Sequence, residues 1–119
     1  MANVISLQSY LQREYMLPDN HDFNVDILNN SVKLYLPRVE GYLEIVREMA
    51  SKYKGMTLIE FDGYFEGKFE PVKYTRIEIH TNDIDEKCMM QEANAIRKAL
   101  KQQSLAFEFN NKLILVSER

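Results

Sequence analysis

Val72-Lys73-Tyr74-Thr75-Arg76-Ile77-Glu78-Ile79-His80-Thr81 alternates along its length, with Ile77 and Ile79 on one side and Tyr74, Arg76, Glu78 and His80 on the other. A period of two marks a strand that buries one face. Directly after it, Thr81-Asn82-Asp83 supplies helix-capping residues and the period changes, with Met89, Ala93, Ile96 and Leu100 recurring at helical spacing. Asp83, Asp85 and Glu86 open this segment and Arg97, Lys98 and Lys101 close it, which matches the helix dipole at both ends. The stretch therefore predicts a strand feeding a helix.

Working outward, Met56 to Phe65 is rich in strand formers, and Glu66-Gly67-Lys68-Phe69-Glu70-Pro71 carries the breakers of a hairpin loop. Upstream, Val39, Leu43, Val46, Met49 or Ala50, and Tyr53 predict a helix stopped by Gly55, with Glu48 and Lys52 paired on its outer face. Val32, Leu34 and Leu36 predict a strand ended by Pro37. Phe23, Val25 and Ile27 alternate too, so Asn29-Asn30 reads as the turn of an N-terminal hairpin. Downstream, Leu105 to Phe109 and Leu113 to Val116 flank a second Asn-Asn, Asn110-Asn111, and predict a closing hairpin. The central order of strand, helix, strand, strand, helix, strand is the split β-α-β of a ferredoxin-like α+β sandwich. Extra terminal hairpin strands would widen its antiparallel sheet. Val4, Leu7, Leu11 and Tyr15 predict a helical arm over residues 1–20, ahead of a core over 21–119, in one domain.

Gly55-Met56-Thr57-Leu58-Ile59 followed by Gly63-Tyr64-Phe65 resembles a family of small uncharacterised bacterial domains, in which Gly-Leu-Thr-Val precedes Gly and an aromatic at this spacing. Lys101-Gln102-Gln103-Ser104-Leu105 resembles that family's Gln-Glu-Ser-Val entry into its last strands. The resemblance covers the C-terminal two-thirds, departs at Glu60, Phe61, Asp62 and Gln103, and implies a ferredoxin-like sandwich with no activity attached.

The composition excludes several classes. With 119 residues, 45% of them hydrophobic, the chain can build a core without metal or disulfide staples. Fifteen Lys and Arg against eighteen Asp and Glu leave a net charge of -3, the wrong balance for neutralising a phosphate backbone. The aromatic-glycine signature of RNA-binding strands is also missing from residues 72–81, so nucleic acid is disfavoured as a partner. A single cysteine, Cys88, rules out an internal disulfide and reads as a small core residue in a reducing, cytoplasmic setting. No leader or membrane-spanning run is apparent. Phosphate loops, nucleophile elbows and zinc-protease motifs are absent, and Gly63 and Gly67 are explained by a strand entering a hairpin.

The polar side of the Val72 strand is the strongest candidate site. Lys33 and Tyr35 should join it from the preceding strand, and Glu60, Asp62 and Tyr64 from the following one. Tyr35, Tyr64, Tyr74, Arg76, Glu78 and His80 are the expected binding residues, because Tyr and Arg concentrate energy at interfaces. The competing account is a solvated face held by cross-strand ion pairs. His80 beside Asp83, Asp85 and Glu86 could hold a metal or act as a base, but capping already explains those acids, so neither catalytic residues nor cofactors are expected. The function expected first is a noncatalytic binding or assembly module working as a homodimer, since an open sheet edge can be satisfied by a second copy. The alternatives are a regulatory protein capturing a small, nucleotide-like ligand through Tyr74, Arg76 and His80, and a mobile-element-encoded inhibitor of a larger protein.

Overall fold

The structure, a computed structural model, describes residues 22–119. The arm expected over residues 1–20, and His21, lie outside the described residues. The element order is β1 (Asn30–Pro37), α1 (Tyr42–Lys52), β2 (Thr57–Phe65), β3 (Lys68–Thr81), α2 (Glu86–Ala99), β4 (Ser104–Phe109) and β5 (Lys112–Ser117). Among the described residues five strands form one antiparallel sheet in the order β2-β3-β1-β4-β5. Both helix-containing crossovers skip a strand, which makes this the split β-α-β arrangement with β5 added at one edge.

Alternation places Val32, Leu34, Leu36, Ile77, Ile79, Leu105, Phe107 and Phe109 on one side of the sheet, where Ile45 and Met49 of α1 and Met89, Ala93 and Ile96 of α2 cover them. The inner stripe of α2 is the expected one. Asp85 caps its start, accepting a 2.7 Å hydrogen bond from the Cys88 N–H, and these bonds hold the Asp85 carboxyl below its usual range. Cys88 precedes the buried Met89 by one residue, about 100° around the helix, and is exposed rather than a core residue.

Helix α1 starts three residues later than expected, at Tyr42 after a left-handed Gly41. That shifts its inner stripe to Ile45 and Met49, with Tyr42, Val46 and Tyr53 packed beside them, and leaves Val39 and Leu43 exposed. Lys52 reaches across to Glu92 of α2 at 3.3 Å instead of pairing with Glu48. Glu92 also accepts from the Tyr53 hydroxyl, and burial together with this carboxylate pushes the Tyr53 phenol up to about 12. Tyr53 is therefore a donor throughout the neutral range.

The N-terminal hairpin does not form. β1 lies in the middle of the sheet with β3 and β4 already on its two edges, so a strand over Phe23, Val25 and Ile27 has no free edge to join. The Asn82 side chain takes the backbone groups that a partner strand would have taken: its Oδ1 accepts from the Asn29 N–H at 2.7 Å and its Nδ2 donates to the Ile27 carbonyl at 2.8 Å. The closing hairpin forms as expected, with Asn110 and Asn111 both at positive φ (50° and 70°), the conformation a two-residue turn needs. The same turn occurs at Glu66-Gly67, which is tighter than the expected six-residue loop and lets β3 begin at Lys68.

Candidate functional site

The face of the sheet away from the helices carries Lys33 and Tyr35 from β1, Tyr74, Arg76, Glu78 and His80 from β3, and Ala106 and Glu108 from β4. From β2 the pairing of Ile59 with Arg76 and Phe61 with Tyr74 brings Ile59 and Phe61 to this face. Glu60, opposite Thr75, goes to the other side and pairs with Arg38 at 3.2 Å, which corrects the expectation for Glu60. One residue after Gly63, which faces the Tyr74 ring, Tyr64 also turns the other way. It is 74% exposed, packed against Phe69 across the β2–β3 hairpin and separate from the other expected binding residues.

An aromatic cluster forms at one end of this face. Phe61 stacks on Tyr74 with ring centres 5.4 Å apart and meets Tyr35 edge-on at 5.8 Å. The Tyr35 hydroxyl donates to Glu108 Oε2 at 2.5 Å, and burial followed by that carboxylate raises the Tyr35 phenol above its ordinary value. Arg76 and Glu78 pair at 2.6 Å, both half-buried, while His80 is exposed towards the far end, opposite Ser31. Among the described residues the buried Arg76 Nε has no hydrogen-bond partner, and the guanidinium is held by the Glu78 ion pair and by its interaction with the Tyr35 side chain, which partly offsets the rise of that phenol. Of the acids near His80, Asp85 is the helix cap and Glu86 pairs with Lys112 at 2.6 Å.

Tyr35 and Tyr74 also line a half-open cleft of about 990 Å³ at the end of the sheet. Its walls come from the β1–α1 corner with Arg38 and Tyr42, the start of the regular part of β3 with Lys73, the α2–β4 loop from Lys101 to Gln103, and the adjoining strands with Ser104 and Leu115. The Arg38 N–H bonds the Lys73 carbonyl at 2.7 Å and extends the β1–β3 ladder into the wall. The Arg38 guanidinium donates to the Tyr42 hydroxyl from Nε and Nη2, at 3.1 and 2.9 Å. On the opposite wall, buried Arg97 donates to the Gln102 carbonyl at 3.0 Å and fixes the loop. Arg76, Glu78 and His80 are not part of this cleft, so the structure divides the expected site into a cleft end and an ion-paired end.

Sequence reasoning did not reach Arg38, Tyr42, Lys73 or Lys101. Lys101 takes φ 56° immediately after the Leu100 cap, where glycine is commonest, and its N–H and that of Gln102 bond back to Lys98 and Arg97. In the sequence Lys101 reads only as a cation matching the helix dipole, and its place directly after the last apolar residue of the stripe, Leu100, was the signal available. The other three are joined only by the fold.

No family model matches the chain, and no curated protein matches it. The ferredoxin-like α+β architecture is, however, similar to two solved structures. One is a phage SAM lyase in complex with S-methyl-5'-thioadenosine, with a TM-score of 0.56 at 10% identity over 83% of this chain and 97% of that one. The other is a phage SAM lyase in the apo state, with a TM-score of 0.55 at 11% identity over 82% and 98%. At such identities the likeness is one of fold. Among the described residues no helix is long and apolar enough to cross a membrane.

Proposed function

We propose that the chain binds a small ligand of the adenine-nucleoside class in the cleft at the end of its sheet. The observation that carries this is the wall chemistry: Tyr35, Tyr42 and Tyr74 surround about 990 Å³, a volume in the range of small-molecule sites, with amide and hydroxyl groups from Gln102, Gln103 and Ser104 beside them. Aromatic rings favour a flat partner, and an amide rim can read its edge. That a similar fold holds S-methyl-5'-thioadenosine supports the choice of adenine over other flat rings. Calorimetric titration with S-methyl-5'-thioadenosine and with adenosine checks it. The expected result is saturable binding, weakened about 5- to 100-fold by Tyr74→Ala, the usual worth of one stacking side chain. No heat and no rise in melting temperature at millimolar ligand would overturn the reading.

A second reading, self-association, is favoured by β5. Among the described residues it is an edge strand, carrying Leu113 and Leu115 at 66% and 63% exposure beside Ala106 on the open face. Antiparallel pairing of two copies about Leu115 would join the two Leu115 side chains and set Lys112 of each copy opposite Glu118 of the other. Light scattering over a range of protein concentrations should show a dimer that Leu115→Lys dissociates. A mass that stays monomeric at the highest concentration excludes it.

A further inference from the structure

The charge of the cleft runs against that of the chain. Acids outnumber bases by eighteen to fifteen overall, yet none of the described residues lining the cleft is acidic, and Arg38, Lys73 and Lys101 all line it. Three separate elements contribute these cations, so they are not one solvated helix face. Arg38 has Glu60 and Tyr42 as partners, whereas neither Lys73 nor Lys101 has an ion-pair partner among the described residues. Helix α1 also starts here: Val39 and Tyr42 line the cleft, and the Gly41 cap has no side chain to take the first-turn N–H groups.

The C-terminal end of α2 opposes an anion with roughly half a charge, but its last carbonyls are already occupied by the Leu100, Lys101 and Gln102 N–H groups. Lys73 and Lys101, together with an Arg38 that shares its charge with Glu60, outweigh it. We infer that the cleft's ligand carries a phosphate, with the nucleoside ring against Tyr35 and Tyr74 and the phosphate on Arg38, Lys73 and Lys101. This rests on the nucleoside reading above and adds the charged end of the ligand.

Titrations of the full chain with adenosine 5'-monophosphate, adenosine and inorganic phosphate, at about 50 and about 300 mM salt, test it. The expected result is that the monophosphate binds at least about tenfold more tightly than adenosine at low salt, with the gap narrowing several-fold at high salt, as charge-assisted contacts require. Lys101→Gly should narrow the gap while raising the melting temperature, because glycine is at ease at φ 56°; weaker binding then cannot be ascribed to unfolding. Lys73→Gln should narrow it independently. Equal affinity for the monophosphate and adenosine would overturn the phosphate and leave the nucleoside reading standing. Absence of binding by both would overturn both readings, and inorganic phosphate binding as tightly as the monophosphate would overturn the nucleoside reading while keeping the phosphate on the three cations.

Discussion

Phe107→Ala is expected to cost about 3–5 kcal/mol, the range for deleting a buried phenyl ring. Phe107 has 0% exposure, sits between Leu34 of β1 and Ile114 of β5 in the ladder, and belongs to the apolar layer beneath both helices. β4 is held by β1 and β5 on its two edges, so the backbone has little freedom to collapse into the hole. Domains of this size commonly have about 5–15 kcal/mol of stability in total, so the variant should lose a large part of it. Urea unfolding followed by circular dichroism reads this as a drop in midpoint at unchanged slope. Leu115→Ala, measured at a protein concentration where the chain is monomeric, is the control: its side chain is largely exposed, and its effect should stay within about 0.5 kcal/mol. A loss below about 1 kcal/mol for Phe107→Ala would mean that the two helices do not close over the sheet as described.

The contrast between those two residues shows which parts of the fold were legible. Phe107 and Leu115 belong to apolar runs of similar composition, and only pairing decides which face each takes. Where a single period ran for eight or more residues, as in Val72 to Thr81 and Met89 to Leu100, the buried set could be read directly. Where the outcome depended on a third element, it could not. Phe23, Val25 and Ile27 have the pattern of a strand, but whether a strand finds an edge is a property of the sheet, and both edges of β1 were taken. The faces of β2 were misread at Glu60 and Tyr64 because no local signal fixes its register against β3, which shifts between Phe61 and Gly63.

The candidate site follows the same logic. Tyr35 and Tyr74 were readable because they sit on regular strands with known faces. Arg38, Lys73 and Lys101 occupy the places where strands and helices stop, and their meeting depends on a hydrogen bond from the Arg38 N–H to the Lys73 carbonyl and on the loop pinned by Arg97. Periodicity carries no information at such positions. Charge at the ends of elements, summed over one end of a sheet, carries more.

Gly63→Ala is the change expected to damage the cleft most from outside it. A Cβ at Gly63 would lie 2.4 Å from Tyr74 Cε2 and 2.7 Å from Cδ2, closer than carbon atoms approach, so the ring must move. It cannot move freely, because its position is tied to the stack on Phe61, whose edge in turn meets Tyr35. Alanine suits a strand better than glycine does, so any loss of stability reports the clash rather than the backbone. About 1–3 kcal/mol is expected, the usual cost of overpacking, together with at least about tenfold weaker nucleoside binding. The cycle with Tyr74→Ala separates clash from general damage. With the ring absent, the added methyl meets nothing at that distance, so the double variant should be more stable than the sum of the two single effects by about 1 kcal/mol or more. Additive effects would mean that Tyr74 swings clear at no cost, and the glycine would then have no part in setting the wall of the cleft.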